Sequence, residues 1–203
     1  MSLEDYSKKR VFDKTSEPPA GNAALFTGSK KSVPGNGDSL LRFVIHKHYA
    51  SRLHFDLRLE LEGTLKSWAI PRGPTLNPKE KKLAVMVEDH PFEYRDFEGI
   101  IPEGNYGAGR VYIWDKGTYH APGTEDRHES ERLLKEGLEK GHMTFILNGN
   151  VLKGEFALIR LKKASLKDWL LIKKNDEYAS DADISKLEAP DEAADAVLPK
   201  KKL

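Results

Sequence analysis

The sequence predicts a mainly β protein: a compact antiparallel β-barrel-like single domain with one short helix and flexible termini. Three observations carry this expectation. Eight short strand-like runs recur between Leu41 and Lys174, each bounded by Gly, Pro, Asn or Asp turn signals. One segment, residues 129–141, has a clear helical apolar period. There is no alternation of strand and helix and no internal repeat, which argues against a parallel sheet or a solenoid.

In chain order, residues 1–40 come first, with "SEPPAGNAALFTG" and "SVPGNGDS". They are too poor in apolar residues to nucleate a core and read as a flexible N-terminal arm. The strand candidates follow as "LRFVIHKH", "LHFDLRLEL", "LKSWAI", "KLAVMVED", "GRVYIWD", "HMTFILNG", "GEFALIRL" and "DWLLIKK". Between the fifth and the sixth, "ESERLLKEGLEKG" sets Leu133, Leu134 and Leu138 on one face, with Gly141 as its stop. The domain proper is expected over 41–175. Residues 176–203 read as a polar tail or linker, with eight acidic residues and one Lys between Asn175 and Leu198.

A chain of 203 residues with 38% hydrophobic content is long enough for one core of ordinary size. The net charge of +1 neither announces nor excludes a nucleic-acid partner. Charge is unevenly spread, however. Residues 42–82 hold nine Lys or Arg against four Asp or Glu, and residues 83–103 hold one Arg against six acids, so a local basic surface for phosphate is feasible. Cysteine is absent, which removes disulfides and thiolate metal sites. No apolar run approaches the roughly 18 residues of a spanning helix, and no apolar signal core opens the chain. A soluble, cytoplasmic protein with no membrane partner is the expectation.

The stretch "HKHYASRLHFDLRLE" asks for a chemical explanation. Alternation from Leu53 to Glu60 places His54, Asp56, Arg58 and Glu60 on one face of a strand and four apolar residues on the other. His54 and Asp56 can reach one cation from that face. His48 is six residues before His54, roughly 20 Å along a straight strand, so a turn within "YASR", residues 49–52, is required to bring it back. Two His and one carboxylate then form a three-point site with open positions, suited to Mn, Fe or Zn. His46 shares the parity of His48 and is an alternative ligand, and a simple surface pair of His and Asp is the plainer reading. Arg58 is a candidate phosphate clamp, or a partner for Asp56 or Glu60.

Further along lies "VEDHPFEYRDFEGIIPEGNYGAGRVYIWDKGTY", residues 87–119, whose glycines precede a strand-like run and therefore fit turns better than a nucleotide loop. Together with "HKHYASRLHFDLRLELEGTLKSWAIPRGP" this segment closely resembles the 3'-phosphoesterase module of bacterial ATP-dependent DNA ligase D, the repair ligase of non-homologous end joining, and its stand-alone relatives. The likeness runs from about Arg42 to Tyr119 and less strictly to about Lys174. It implies a barrel-like domain with a polar interior groove holding a divalent metal, most often Mn²⁺, with Zn²⁺ or Co²⁺ as alternatives. By the same resemblance His48, His54 and Asp56 are metal ligands, Arg58 and His90 engage the scissile phosphate, and Tyr94 is a further active-site residue. Arg72 and Lys82 are implied substrate contacts, as are Arg10 and Glu17 in the arm, closing over the site. Val11 stands where an acidic residue is expected, and His46 where a Gln is familiar.

The resemblance further implies removal of a 3'-terminal ribonucleoside, then of the remaining 3'-phosphate, to leave a 3'-OH. Its implied partners are primer-template 3' ends and the ligase, polymerase and Ku components of end joining. A protonated His90 would neutralise charge on phosphate oxygens, or donate a proton to the leaving oxygen. The other histidines, His120, His128 and His142, and the tryptophans Trp68, Trp114 and Trp169 are expected at packing or surface positions. Two other functions stay open at this stage. One is a non-haem Fe(II) oxygenase using His120 or His142 as a distal ligand; the other is a non-catalytic module that grips nucleic-acid ends.

Overall fold

The computed structural model describes residues 2–20, 40–162 and 165–192. Nine antiparallel strands dominate: β1 (Leu41–Tyr49), β2 (Leu53–Leu61), β3 (Thr64–Ile70), β4 (Lys81–Pro91), β5 (Gly99–Ile101), β6 (Gly109–His120), β7 (His142–Asn148), β8 (Lys153–Arg160) and β9 (Asp168–Lys173). Their order is β1-β2-β3-β4-β9-β8-β7-β6, and β1 also pairs with β6, so eight strands close into a barrel. Closure leaves no long free edge. The eight expected runs match eight of these strands. The ninth, β5, is three residues long and pairs with the first residues of β6.

Strand alternation divides each wall into an inner and an outer face. Phe43 and Ile45 of β1, Phe55, Leu57, Leu59 and Leu61 of β2, Trp68 of β3, Phe145 of β7, Phe156 of β8 and Trp169 of β9 join one apolar cluster, which fills the barrel. Trp114 belongs to it as well, so all three tryptophans pack the core. Helix α2 (Arg127–Lys140) starts at an Asp126 cap and stops at Gly141, whose φ of 76° is a left-handed conformation suited to glycine. It adds Leu134 to the core, and Arg127 in its first turn reaches the Leu40 carbonyl and Glu60, so the helix covers that end of the barrel.

The polar residues of β1 and β2 occupy the outer face. The expected polar interior groove is therefore misplaced: the interior is apolar, and the groove lies on the outside of β1–β4. A second, smaller apolar cluster roofs it, made of Tyr6, Leu65, Tyr94, Phe97, Ile101 and Val111.

Part of each terminal segment is docked on the barrel. Residues 2–20 are not a free arm. Ser2 caps helix α1 (Leu3–Lys8) through a reciprocal pair with Asp5, and Tyr6 and Glu17 are buried. Two aromatic anchors, Tyr6 and Phe12, give this segment the apolar area that its Pro- and Gly-rich continuation lacks. The rest of that expectation, 21–39, lies outside the described residues. At the other end, residues through Glu192 are docked on the barrel rather than trailing from it. Ile184 and Ala189 join the core, Leu187 accepts the Trp114 indole N–H at 3.0 Å, and Glu192 pairs with Lys47 at 2.8 Å. They cover the barrel end opposite α2. Among the described residues no helix is long and apolar enough to cross a membrane.

Candidate active site

The turn at residues 50–52 brings β2 back beside β1 in a register that sets His48 opposite His54 and His46 opposite Asp56. The predicted reversal within "YASR" therefore does what the site needs. Ligand atoms of His48, His54 and Asp56 lie within 4.8 Å of one another. Nδ1 of His48 is 3.6 Å from Asp56 Oδ2, and Nε2 of His54 is 3.7 Å from Asp56 Oδ1.

Hydrogen bonds behind the two rings orient them. His48 donates from Nε2 to the Gly107 carbonyl at 2.9 Å, which leaves the Nδ1 lone pair facing Asp56. His54 donates from Nδ1 to the Arg52 carbonyl at 3.0 Å, which leaves its Nε2 lone pair facing the same carboxylate. Metal-binding imidazoles are ordinarily set in this way, with one nitrogen tied to a carbonyl so that the other is held as a donor to the ion. Burial raises the Asp56 carboxyl, but neighbouring charge, that of Arg58 foremost, outweighs it and holds the group well below the usual range. Two neutral nitrogens and one carboxylate fit a divalent cation of the Mn or Zn kind. Among the described residues this is the one cluster of three such donors.

Beside it lies an anion pocket. Arg58 is buried and braced by three hydrogen bonds that leave two of its five N–H donors: Nε donates to His46 Nδ1 at 3.1 Å, Nη1 to Ser67 Oγ at 3.0 Å and Nη2 to Asp56 Oδ2 at 3.1 Å. Of its two suggested partners, Asp56 is the one it meets. Glu60 bonds instead to Arg127 on α2. The Arg58 guanidinium also lies 4.7 Å from the centre of the Tyr94 ring. His46 is thus a support for Arg58, outside the three-donor cluster.

The N-terminal segment supplies a second arginine. Arg10 stacks on Tyr6 at 3.7 Å, pairs with Glu17 at 3.0 Å and Glu88 at 3.2 Å, and points Nη2 at His90 Nε2 from 3.3 Å. Glu17 also accepts the Tyr94 hydroxyl at 3.0 Å. His90 is placed by an irregularity in the sheet. Leu65 faces His90 but Ser67 faces Val87, so β4 carries one extra residue there, and such a bulge re-aims the side chains around it.

The hydrogen bonds of His90 fix its protonation. Its Nδ1 lies 2.9 Å from the Glu88 carbonyl, so that nitrogen carries the proton, while Nε2 accepts from Arg10. Burial, then the charges of Arg58 and Arg10, push this imidazole far below its ordinary titration range. The expectation of a standing imidazolium is corrected: His90 is neutral in this site. Tyr94, buried and pushed well above the usual phenol range by desolvation, is a hydrogen-bond donor and not a base.

The cluster and the pocket open on one cavity of about 260 Å³, lined by His48, His54, Asp56, Arg58, His90 and Tyr94 and walled on one side by Arg10. Arg72 and Lys82 do not line it. Arg72 is exposed after β3, and Lys82 pairs with Glu80 at 2.7 Å on the far part of β4. His128 and His142 are exposed, and His120 bonds to the Ala121 and Thr124 carbonyls, so none reaches the cavity. Sequence reading did not single out Glu88, Ser67 or Tyr106. Glu88 adjoins His90 in "VEDHP", but the bulge breaks the alternation by which its direction would be read.

A closed antiparallel barrel with a three-donor cluster beside an arginine-rich pocket on its outer wall defines a candidate phosphoester-processing domain. The chain belongs to the DNA ligase D 3'-phosphoesterase domain family, whose profile matches residues 46–160. It is 45% identical over 202 residues to the multifunctional non-homologous end joining protein LigD of Pseudomonas aeruginosa, covering 99% of this chain and 22% of that protein. It is 41% identical over 158 residues to the multifunctional non-homologous end joining DNA repair protein LigD of Mycobacterium tuberculosis, covering 78% and 18%. With the LigD of Mycolicibacterium smegmatis it shares 40% identity over 177 residues, covering 86% and 21%. The chain spans about a fifth of the length of these relatives.

Proposed function

We propose that this domain heals 3' ends of DNA during end joining, first removing a terminal ribonucleoside and then the 3'-phosphate left behind, so that a ligatable 3'-OH results. The observation that carries this reading is that His48, His54 and Asp56 open on the same cavity as Arg58, Arg10 and His90.

A divalent metal, Mn²⁺ first and Zn²⁺ or Co²⁺ next, would be held by His48, His54 and Asp56 and would supply Lewis-acid polarisation and an activated water. The chain's own groups carry the rest. Arg58 stands with its fork braced by His46, Ser67 and Asp56, so it meets phosphate oxygens without losing side-chain freedom at that moment. Arg10, buried against Glu17 and Glu88, offers the second cationic contact in the same cavity. The His90 Nε2 lone pair accepts from Arg10; a phosphate that draws Arg10 onto itself would free this lone pair, and its negative charge favours protonation there, so that His90 takes up a proton on binding and holds it at Nε2 for the departing oxygen. Tyr94 keeps Glu17 in place and, through it, Arg10.

Partners follow from the same reading: primer-template 3' ends directly, with ligase, polymerase and Ku components as the neighbours in a repair assembly. The test is conversion of a primer-template ending in one ribonucleotide, with Mn²⁺ added, resolved into ribonucleoside, 3'-phosphate and 3'-OH ends. Stepwise conversion by wild type and none by His54→Ala supports the assignment. If wild type binds such ends in a salt-sensitive way, does not convert them, and His54→Ala binds equally well, the domain is an end-gripping module instead.

A further inference from the structure

We infer that Tyr106 is the platform on which the base of the 3'-terminal nucleoside stacks, and so a substrate-positioning residue of the end-healing site. This rests on the proposed function above.

Tyr106 is placed as such a platform must be. It lies in the loop 102–108 of the hairpin formed by β5 and β6, and it lines the cavity that holds the three-donor cluster. Large aromatics of this domain are otherwise mostly buried, yet Tyr106 keeps 49% of its surface exposed at the cavity mouth. An apolar ring left in water beside a charged pocket calls for an occupant.

The loop is rigid in the way that positioning requires. Asn105 N–H donates to the Pro102 carbonyl at 3.2 Å and Ala108 N–H to the Asn105 carbonyl at 3.1 Å, giving two successive turns. Gly104 and Gly107 supply the left-handed conformations at φ 83° and 77°. The next residue's carbonyl, that of Gly107, receives the His48 Nε2 proton at 2.9 Å. Tyr106 is thereby fixed in position relative to the three-donor cluster, one residue away.

Ring chemistry selects the base and not another phosphate. One face of Tyr106 takes the Lys9 ammonium at 4.3 Å, and the Arg10 guanidinium lies 5.9 Å from its centre. Lys9, outside the cavity lining, pairs with Glu88, whereas Arg10 and Arg58 line the cavity as the cations for the phosphate. What the cavity otherwise lacks is an exposed π surface for the nucleobase. Arg10 and Tyr106 line the same cavity as the three-donor cluster, so a base seated on that ring belongs to a nucleoside next to the scissile phosphate, taken here as the terminal one. Stacking of this kind tolerates every base.

The experiment is a cycle of enzyme and substrate deletions. Single-turnover rates with Mn²⁺ are measured for wild type, Tyr106→Phe and Tyr106→Ala on three primer-templates. One ends in a ribonucleotide, one ends in an abasic ribose, and one has an intact terminal ribonucleotide but an abasic penultimate position. Loss of the terminal base is expected to slow wild type by about 5- to 100-fold. Tyr106→Ala is expected to lose as much on the intact end and little more on the abasic one, because the two deletions remove the same contact. Tyr106→Phe, which keeps the π face, should stay within about threefold of wild type. Losses that simply multiply overturn the inference, as does coupling to the penultimate base, which would put the ring under the primer. A wild type that converts no substrate overturns the phosphoesterase reading itself.

Discussion

Arg10 Nη2 lies 3.3 Å from His90 Nε2, joining the N-terminal segment to the floor of the candidate active site. The guanidinium is only 4% exposed and its partners Glu17 and Glu88 are as deeply buried, at 0% and 3%. Removing one member of such a buried set leaves charges without compensation, at a cost of about 3–5 kcal/mol. Arg10→Ala is therefore expected to release residues 2–20 from the barrel. Hydrogen exchange should show α1 losing protection while β1–β4 keep theirs. Unchanged protection over residues 3–8 would mean that Tyr6 alone anchors the segment.

The pH dependence of stability follows from two buried imidazoles. His46 and His90 are pushed far below their ordinary range, by burial first and then by Arg58, with Arg10 adding to the effect on His90. The sign is definite. In the unfolded chain each takes up a proton near pH 6.5, whereas in the fold it does not, so stability is full above about 6.5 and falls as pH is lowered. Each contributes a slope approaching about 1.4 kcal/mol per pH unit. Asp89 and Asp115, whose carboxyls burial pushes up, act in the opposite sense nearer the carboxylate range. Urea unfolding of the metal-free protein should show a loss between pH 6.5 and 5, reduced in His90→Gln. A flat profile across that window would show that both rings titrate normally.

The proposed metal site is separable from the core that holds the fold. The three donors sit on the outer wall, and the apolar cluster that closes the barrel contains none of them. Mn²⁺ at a hundred times its dissociation constant should stabilise wild type by about 2.7 kcal/mol. His54→Ala should melt near the metal-free wild type and Asp56→Asn below it, because buried Arg58 loses its carboxylate partner, but neither should show such a gain or release phosphate. A Mn²⁺-induced rise in melting temperature in both variants would place the ion elsewhere.

The loop that carries Tyr106 depends on Gly109. This residue has φ 146°, and a Cβ there would collide with the Tyr49 carbonyl and approach the Ala50 Cα to 2.8 Å. Backbone strain and overpacking each cost roughly 1–3 kcal/mol. Gly109→Ala should destabilise the fold by at least about 2 kcal/mol, and it should also weaken Mn²⁺ binding, because the Gly107 carbonyl that orients His48 moves with it. Calorimetry on one preparation reads both; loss of stability with metal affinity intact would uncouple the loop from His48.

The barrel and the three-donor cluster were legible because both are written in local alternation. "LHFDLRLEL" coincides with β2, and its parity assigns His54, Asp56 and Arg58 to one face. The turn that returns His48 was demanded by simple reach, and β1 and β2 do pair across it. What alternation does not encode is which face of a closed sheet looks inward, and the interior groove that the resemblance implies stands on the outer wall instead. The helix was found to within two residues, but β5 is too short to carry a period. Residues 2–20 read as an arm because their anchors, Tyr6 and Phe12, are few and their partners lie some 80 residues away, as in the pairing of Arg10 with Glu88 and His90. The extra residue in β4 hid Glu88 for the same reason: periodicity fails at a bulge.

On the proposed function, Arg58 is the residue at which catalysis and metal binding come apart. Its Nη2 touches Asp56, but the imidazoles are oriented by the Gly107 and Arg52 carbonyls and not by Arg58. Replacing it should therefore leave the donor set in place while removing the preorganised cation from the pocket. Arg58→Lys is the informative change, since it keeps one positive charge yet cannot contact His46, Ser67 and Asp56 at once. Turnover on a 3'-phosphate end should fall about 10²- to 10³-fold, the usual loss for one charge-stabilising donor. Mn²⁺ affinity, read by calorimetry, should change by less than about tenfold, in line with loss of a supporting contact to a ligand. If activity and affinity fall together by the same factor, Arg58 serves only to hold Asp56, and the phosphate must be met by Arg10 alone.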